Sequence, residues 1–333
     1  MIVELSHRIR EHRLVDFSRK AGRLISGILL HYSDLRPLFK APPSSALTRL
    51  LKARPEILGM VVTPYLCAKW TATERFARII DHCETVERIA PLLNLPVNTF
   101  VDLLILHEMN STYRLVLDQP QWFLRDGQAT FSLWEGEDRL ISLSYCLSSS
   151  GGDLTAYVGG LQGRSEDGVL ERYRRFTKHA EGMRPTDFTI EMFRSFCRGI
   201  GVSQILAVSE ATQNRRSAYF CRSVEQIPAH LNYDELWLGR GGQMQSDGFF
   251  KMSLSQSRRA TDSIPTKKRA MYRRRYAMLD AMTVRLDEIT RGGCAPAHIG
   301  HYMTAVDVQT FNKAQRSDCT VDTYSARQQS VCG

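Results

Sequence analysis

The sequence has no cysteine motif. Its eight cysteines are scattered along 333 residues, with no C-x-x-C pair and no histidine at the spacing of a zinc site. Zinc sites and disulfide frameworks are recognised by such spacing. The sequence therefore predicts neither a metal site nor a disulfide scaffold, and we expect reduced, structural thiols.

Long apolar runs are also missing. The longest, such as LISGILL at residues 24–30, fall far short of the ~20 residues that span a bilayer. Charged residues interrupt the first thirty positions, a pattern that argues against a secretory signal. We expect a cytoplasmic protein whose contact with a membrane is at most peripheral.

The positive charge is concentrated in one region. The formal net charge is +9, and residues 251–275 alone hold nine basic residues against one acid, Asp262. Such a local excess favours a site or a surface patch over a uniformly basic protein. Nucleic acid, a membrane surface, a phosphorylated ligand and solubility remain open as its purpose.

The hydrophobic period changes near Thr112. Up to about residue 110, apolar residues recur every three or four positions, as in ERFARIIDHCETVERIAPLL, which predicts helices. From Thr112 the period is two, and Asp-Gly, Glu-Gly and Gly-Gly pairs separate the runs. This second pattern predicts an antiparallel meander of strands.

A crossover follows the meander. Residues 170–179 read as a helix. In the second helix Thr186 or Asp187 can form the cap, just after Pro185, and Gly199 and Gly201 end it. VSQILAVSE reads as a buried parallel strand. We therefore predict an α+β fold with a helical region at 1–110 and a mixed-sheet domain at 111–288. Residues 289–333 have weak periodicity and are expected to be poorly ordered.

The basic stretch IPTKKRAMYRRRYAMLD at residues 264–280 reads as a helix that begins at Pro265. At about 100° per residue, Lys268 and Arg275 fall within its apolar arc, whereas the outward cations are Arg269, Arg273 and Arg274. Cations on a core-facing stripe should pair with acids or line a buried anion site, because unpaired buried charge is costly.

Candidate ligand-binding residues are found in AYVGGLQG. This segment, followed by a helix and QILAVSE, is similar in order to the acyl-CoA-binding core of GNAT-type acyltransferases. Gly159, Gly160 and Gly163 would allow close approach of a cofactor, with Arg184, Lys268 and Arg275 as further anion ligands. The alternative is that these glycines only mark a bulge and a turn.

Candidate acid–base residues are few. His179 could act as a general base, and the YDELW segment offers Asp234 and Glu235 for proton transfer or for orienting a substrate amine. No second motif fixes their geometry, so purely structural roles remain open for all three.

The chain also resembles the VirK/YbjX family of Gram-negative bacteria over residues 31–286. The segments that carry the resemblance are HYSDL, TPYL, LDQPQWFLRDGQATFSLW, YVGGLQG, YDELW, DGFF and PTKKRAMYRRRYAMLD. It implies an intracellular protein linked to virulence and the cell envelope, including placement of surface proteins, but no established catalytic residues. One departure is LGRGG after YDELW, where acids are expected before the glycine pair.

Three functions remain. The first is a virulence-associated protein that supports envelope or surface-protein biogenesis through acyl transfer, from acyl-CoA or an acyl carrier protein as thioester donor. The second is a non-catalytic accessory factor for envelope assembly. Nucleic-acid binding is the least favoured, because no known reading motif accompanies the cations.

Overall fold

The structure is a computed structural model that describes residues 14–89, 91–97, 99–164, 166–217, 219–220, 231–292, 296 and 298–301. The α-helices of the described residues are α1 (Leu14–Leu30), α2 (Tyr32–Lys40), α3 (Ala46–Ala53), α4 (Ala72–Ile89), α5 (Val169–His179), α6 (Pro185–Gly199), α7 (Tyr233–Leu238) and α8 (Thr266–Thr290). The strands are β1 (Thr99–Ile105), β2 (Tyr113–Asp118), β3 (Ala129–Glu135), β4 (Asp138–Ser148), β5 (Thr155–Gly163), β6 (Gln204–Val208), β7 (Gln243–Met244), β8 (Phe249–Met252) and β9 (His298–His301).

The strands of the described residues form one mixed sheet in the order β7-β8-β6-β5-β4-β3-β2-β1-β9. Strands β2 to β5 make the predicted antiparallel meander. Strands β5 and β6 are parallel, and α5 and α6 form the crossover between them. The α+β prediction is confirmed.

Helices cover both faces of the sheet. Phe193 and Phe196 of α6 pack against Phe131 of β3 and Tyr145 of β4, with ring centroids 5.1 to 6.1 Å apart. Helix α4 lies on the other face, where Arg78 bonds to the side chain of Ser148. Aromatic pairs at these distances stabilise the fold beyond the effect of the apolar area that they bury. The two layers of helices therefore hold the sheet between them.

The sheet begins earlier in the chain than the change of hydrophobic period near Thr112 predicted. Strand β1 starts at Thr99, inside the region that we expected to be helical up to residue 110. Its sequence TFVDLLI is buried at six of seven positions, so it lacks the alternation of a half-exposed strand. An apolar run of this length cannot be assigned to strand or helix by period alone.

The segment expected to form a poorly ordered tail contributes an edge strand. Residues His298–His301 pair antiparallel with β1, from Thr99 opposite His301 to Asp102 opposite His298. The remainder of that segment, residues 302–333, lies outside the described residues.

Helix α8 follows Pro265 as predicted, but only its second half is embedded. Its buried side chains are Met278, Leu279, Met282, Leu286 and Thr290. Lys268 is exposed, so the prediction that it projects into a buried stripe is wrong. Along the apolar arc, Met271, Tyr272 and Tyr276 are half-buried, and full burial begins only at Met278.

Candidate functional site at the ends of the parallel strands

Pairing between the two parallel strands ends halfway along β5. It runs from Thr155 opposite Gln204 to Val158 opposite Ala207, and β5 then continues to Gly163 without β6 beside it. On its other side, β4 pairs Tyr145 with Val158 and Ser144 with Gly160, so Gly159 is the extra residue of a β-bulge. Bulges of this kind re-aim a strand and often lie beside functional sites.

The glycines of β5 are packed by the protein itself. A Cβ on Gly159 would overlap the backbone carbonyl oxygen of Asp126, and a Cβ on Gly160 would lie 3.3 Å from Asp126 Cγ. A Cβ on Gly127 would likewise lie 2.6 Å from the backbone nitrogen of Tyr145. The close approach predicted at Gly159 and Gly160 is therefore made by the loop that carries Asp126.

Asp126 is the centre of a polar cluster. Its Oδ1 accepts a hydrogen bond from Asn214 Nδ2 (2.5 Å), and its Oδ2 accepts one from Gln162 Nε2 (2.7 Å). Desolvation of the carboxyl raises its pKa, and Arg215 and the two amides oppose that shift. Asp126 as a whole is half-buried, and its carboxyl is buried among these partners. A buried carboxyl with raised proton affinity is suited to acid–base chemistry.

The hydroxyl of Tyr233 on α7 hydrogen-bonds to the backbone of β5, beyond the residues that pair with β6. The Leu161 N–H donates to the Tyr233 hydroxyl (3.0 Å), and that hydroxyl donates to the Leu161 carbonyl (3.3 Å). Burial raises the pKa of Tyr233 to about 12, so the phenol stays protonated. Trp237 Nε1 donates to Val208 O at the end of β6 (2.9 Å). Helix α7 thus bridges the ends of both parallel strands.

The two carboxylates predicted in YDELW, Asp234 and Glu235, are not ligands of this polar cluster. Asp234 Oδ1 accepts from the Glu210 backbone N–H (2.8 Å), which ties α7 to the segment after β6. Glu235 is exposed, and its backbone N–H bonds to the N-cap side chain of Asn232. The structure therefore gives Asp234 a positioning contact and leaves Glu235 at the surface.

His179 lies beside β2, away from the two carboxylates of YDELW. Its Nδ1 is 3.4 Å from the Tyr113 hydroxyl on β2, and the two rings are 5.7 Å apart. Three strands, β3, β4 and β5, separate β2 from β6 in the sheet. The structure therefore does not bring His179 together with Asp234 and Glu235.

The start of α5 has its cations paired internally. Arg172 bonds to Glu135 (2.6 Å) and Glu166 (3.0 Å), and Arg164 bonds to Asp138 (2.7 Å). These ion pairs compensate the positive charge near this helix start. Gly163 is close by, and a Cβ there would overlap the Tyr173 hydroxyl, so this glycine also makes room for a side chain.

The remaining predicted ligands share a surface at the start of α8. Arg275 Nε and Nη2 donate to the backbone carbonyl of Glu181 (3.0 and 2.6 Å), and its guanidinium lies 4.4 Å from the Tyr272 ring centroid. Arg275 is half-buried, as predicted, but it binds a carbonyl. Arg184 and Lys268 are exposed.

We define the basic surface as the exposed cations at this end of the molecule, namely Arg184, Lys267, Lys268 and Arg273. An ion pair between Asp187 of α6 and Arg240, which follows α7, connects the start of α6 with the helix that bridges β5 and β6. Arg184 directly precedes α6, so this member of the basic surface lies next to that connection.

Replacing Arg275 by methionine should destabilise the protein by about 1 to 2 kcal/mol. The variant loses two charge-assisted hydrogen bonds to Glu181, a residue held at φ +50°. The exposed Arg273→Gln variant is the matched control, and its unfolding midpoint should stay unchanged. Equal losses in chemical denaturation would contradict this division of the helix.

Two cavities among the described residues each have room for about one water molecule, and one of them is lined by His82, Gln119 and Gln128. Within the described ranges, no three His, Cys, Asp or Glu side chains are placed to hold a metal ion. No helix formed by these residues is long and apolar enough to cross a bilayer. The four described cysteines, Cys67, Cys83, Cys146 and Cys197, are buried free thiols.

The site that emerges differs from the predicted one. Asp126, Gln162, Asn214 and Tyr233 come together, and of these four the sequence had pointed only to Tyr233, as a neighbour of the two carboxylates in YDELW. The Asp-Gly pair at Asp126 had been taken only as a turn signal. No spacing rule links it to Asn214, which is 88 residues away along the chain.

The comparisons with known proteins agree on a family. The chain is 27% identical to "Uncharacterized protein YbjX" of Escherichia coli (strain K12) over 251 residues, which cover 73% of this chain and 74% of that protein. It is 24% identical to an "Uncharacterized protein" of Haemophilus influenzae over 232 residues, 68% of this chain and 74% of the relative. No solved structure matches significantly. The model of the family described as "Protein of unknown function (DUF535)" matches residues 16–288, and the chain therefore belongs to that family.

Proposed function

We propose that this protein transfers an acyl group from a thioester donor, and that transfer takes place beside Asp126 where β5 and β6 part. The observation that carries the proposal is the Asp126 carboxyl, whose pKa burial raises and whose two oxygens are oriented by Asn214 and Gln162. A base of this kind is needed when an amine or a hydroxyl attacks a thioester.

The proposed acyl transfer has two steps. The nucleophile attacks the thioester carbonyl carbon, and its proton passes to the Asp126 carboxylate. The carbon–sulfur bond then breaks, and the proton moves from Asp126 to the departing thiolate. Tyr233 acts as a positioning residue, because its hydroxyl holds the backbone of Leu161 next to the cluster.

The order of the elements supports this reaction class. An antiparallel meander leads into a bulged strand, a helical crossover and one parallel strand, an order similar to that of GNAT-type acyltransferases. Fold-level similarity is an argument by analogy, so the proposal depends on Asp126.

The donor is best sought among acyl carrier proteins. The cations near the start of α5 are already bound to Glu135, Glu166 and Asp138, which disfavours a pyrophosphate there. Among the described residues no acid pairs with a cation of the basic surface, which would attract an acidic protein. Together with the resemblance to the VirK/YbjX family, this favours a cytoplasmic role in envelope or surface-protein biogenesis.

A second candidate is a non-catalytic accessory factor. It is favoured by Tyr233, which already satisfies both backbone groups of Leu161, and by the small size of the cavities. Native mass spectrometry of the protein purified from its host distinguishes the two. A co-purified acyl-CoA or acyl carrier protein supports the enzyme, whereas a stable protein partner without a thioester supports the accessory factor.

A further inference from the structure

Helices α1 and α2 expose an unusual amount of apolar surface. Within fifteen residues, five large apolar side chains are exposed: Ile25 (44%), Leu29 (70%), Leu30 (80%), Tyr32 (59%) and Phe39 (45%). Single exposed apolar residues are common, but a contiguous group on one element marks an interaction surface.

Most of these side chains share one side of the helix pair. The two helices are separated by His31 alone, whose N–H donates to Gly27 O and whose carbonyl accepts from Leu35 N. The helical hydrogen-bond pattern is thus nearly continuous through His31. The exposed positions 25, 29, 32, 36 and 39 are spaced four, three, four and three apart, which places them on one face. The neighbouring face, about 100° around the helix axis, is buried, with Leu24, Leu35 and Leu38 in the core.

The charges on this face have one sign. Residues 21–40 contain three cations, Arg23, Arg36 and Lys40, all exposed, and Arg36 lies at a position of the stripe itself. Asp34 is the only acid among them, and it is engaged by the Thr73 hydroxyl (2.7 Å) and by His31 (3.0 Å). A ligand for this face must therefore accept apolar side chains and carry negative charge.

We propose that α1 and α2 form a docking surface for an anionic phospholipid bilayer. Ile25, Leu29, Tyr32 and Phe39 enter the boundary between headgroups and acyl chains, and Arg36 and Lys40 bind headgroup phosphates. Interfacial helices combine apolar and basic residues in this way. The surface is separate from the Asp126 site, and its existence does not depend on acyl transfer.

A second copy of the chain fits the same face less well. A twofold contact through this stripe would bring Arg36 and Lys40 of one copy near the same cations of the other, with no acid to compensate them. An anionic membrane accommodates the apolar and the basic side chains at the same time.

Sedimentation of the purified full chain with vesicles tests the proposal. Vesicles of phosphatidylcholine with about 30% phosphatidylglycerol should bind the protein at least tenfold more strongly than pure phosphatidylcholine, and binding should weaken as salt rises. The Leu29→Ser/Leu30→Ser variant should lose most of this binding. The matched control is Val284→Ser on α8, which alters a side chain that is 58% exposed outside this face and should bind as the unmodified chain does.

A charge variant provides an independent check. Arg36→Gln/Lys40→Gln should lower binding to the anionic vesicles roughly tenfold or more while leaving the thermal unfolding midpoint unchanged. No preference for anionic vesicles, or unchanged binding by both variants, would overturn the proposal. A concentration-dependent dimer in light scattering that Leu29→Ser/Leu30→Ser dissociates would assign the face to self-association instead.

Discussion

Replacing Gly159 by alanine is expected to lower the free energy of unfolding by about 3 kcal/mol. The new methyl group would overlap the carbonyl oxygen of Asp126 and would lie 2.7 Å from Leu66 Cγ, so backbone and side chain must both shift. Overpacking at a site closed by backbone has costs of this size. Urea denaturation of the purified variant measures it.

The neighbouring glycine is the matched control. At Gly160 the added methyl group would meet only the side chain of Asp126, at 3.3 Å or more, so Gly160→Ala should cost less than about 1 kcal/mol. If both glycines served a bound cofactor, both variants would keep their stability and lose ligand affinity. Equal stability of the two variants would therefore contradict the packing described for β5.

Acidification should destabilise the protein through His82. Its Nδ1 accepts a hydrogen bond from Leu147 N (3.0 Å), and burial lowers its pKa to about 4. Because the unfolded chain has the ordinary value near 6.5, it binds a proton at a higher pH than the folded protein does. The stability present above pH 6.5 should therefore fall by about 3 kcal/mol as the pH drops to about 4.

The contribution of His82 can be separated from that of other groups. His82→Gln should reduce the loss of stability between pH 6.5 and pH 4, measured by denaturant unfolding at several pH values. His107→Gln removes an exposed histidine and is the control, with a pH profile like that of the unmodified chain. A profile that is the same in His82→Gln and the unmodified protein would show that this histidine is not held neutral.

Elements with a clear period or a clear cap could be predicted from the sequence. Helix α6 ends at Gly199, as its glycines indicate, and α8 follows Pro265. The start of α6 was predicted only approximately, because its N-cap is Arg184 and the expected caps Thr186 and Asp187 lie inside the helix. The parallel strand β6 was recognisable because a short apolar run followed a helical crossover. These signals are local, and local chemistry is sufficient to produce them.

Features that depend on distant partners could not be predicted. Strand β1 is buried on both faces, and β9 becomes a strand only because the edge of β1 is available to it. The helical arc gave Lys268 a core-facing position, but full burial along α8 begins only at Met278. Asp126 acquires its environment from Gln162 and Asn214, which are remote in sequence, so no motif reveals it.

The most direct test of the central claim is the rate of thiol release from acyl-CoA and from acyl carrier protein. An envelope extract of the host supplies the acceptor in both measurements. The account predicts release by the unmodified protein from at least one donor. Asp126→Asn should be at least ~100-fold slower with an unchanged fold by circular dichroism. The exposed Glu235→Gln should match the unmodified protein. No release above background from either donor, or full activity in Asp126→Asn, would contradict the claim.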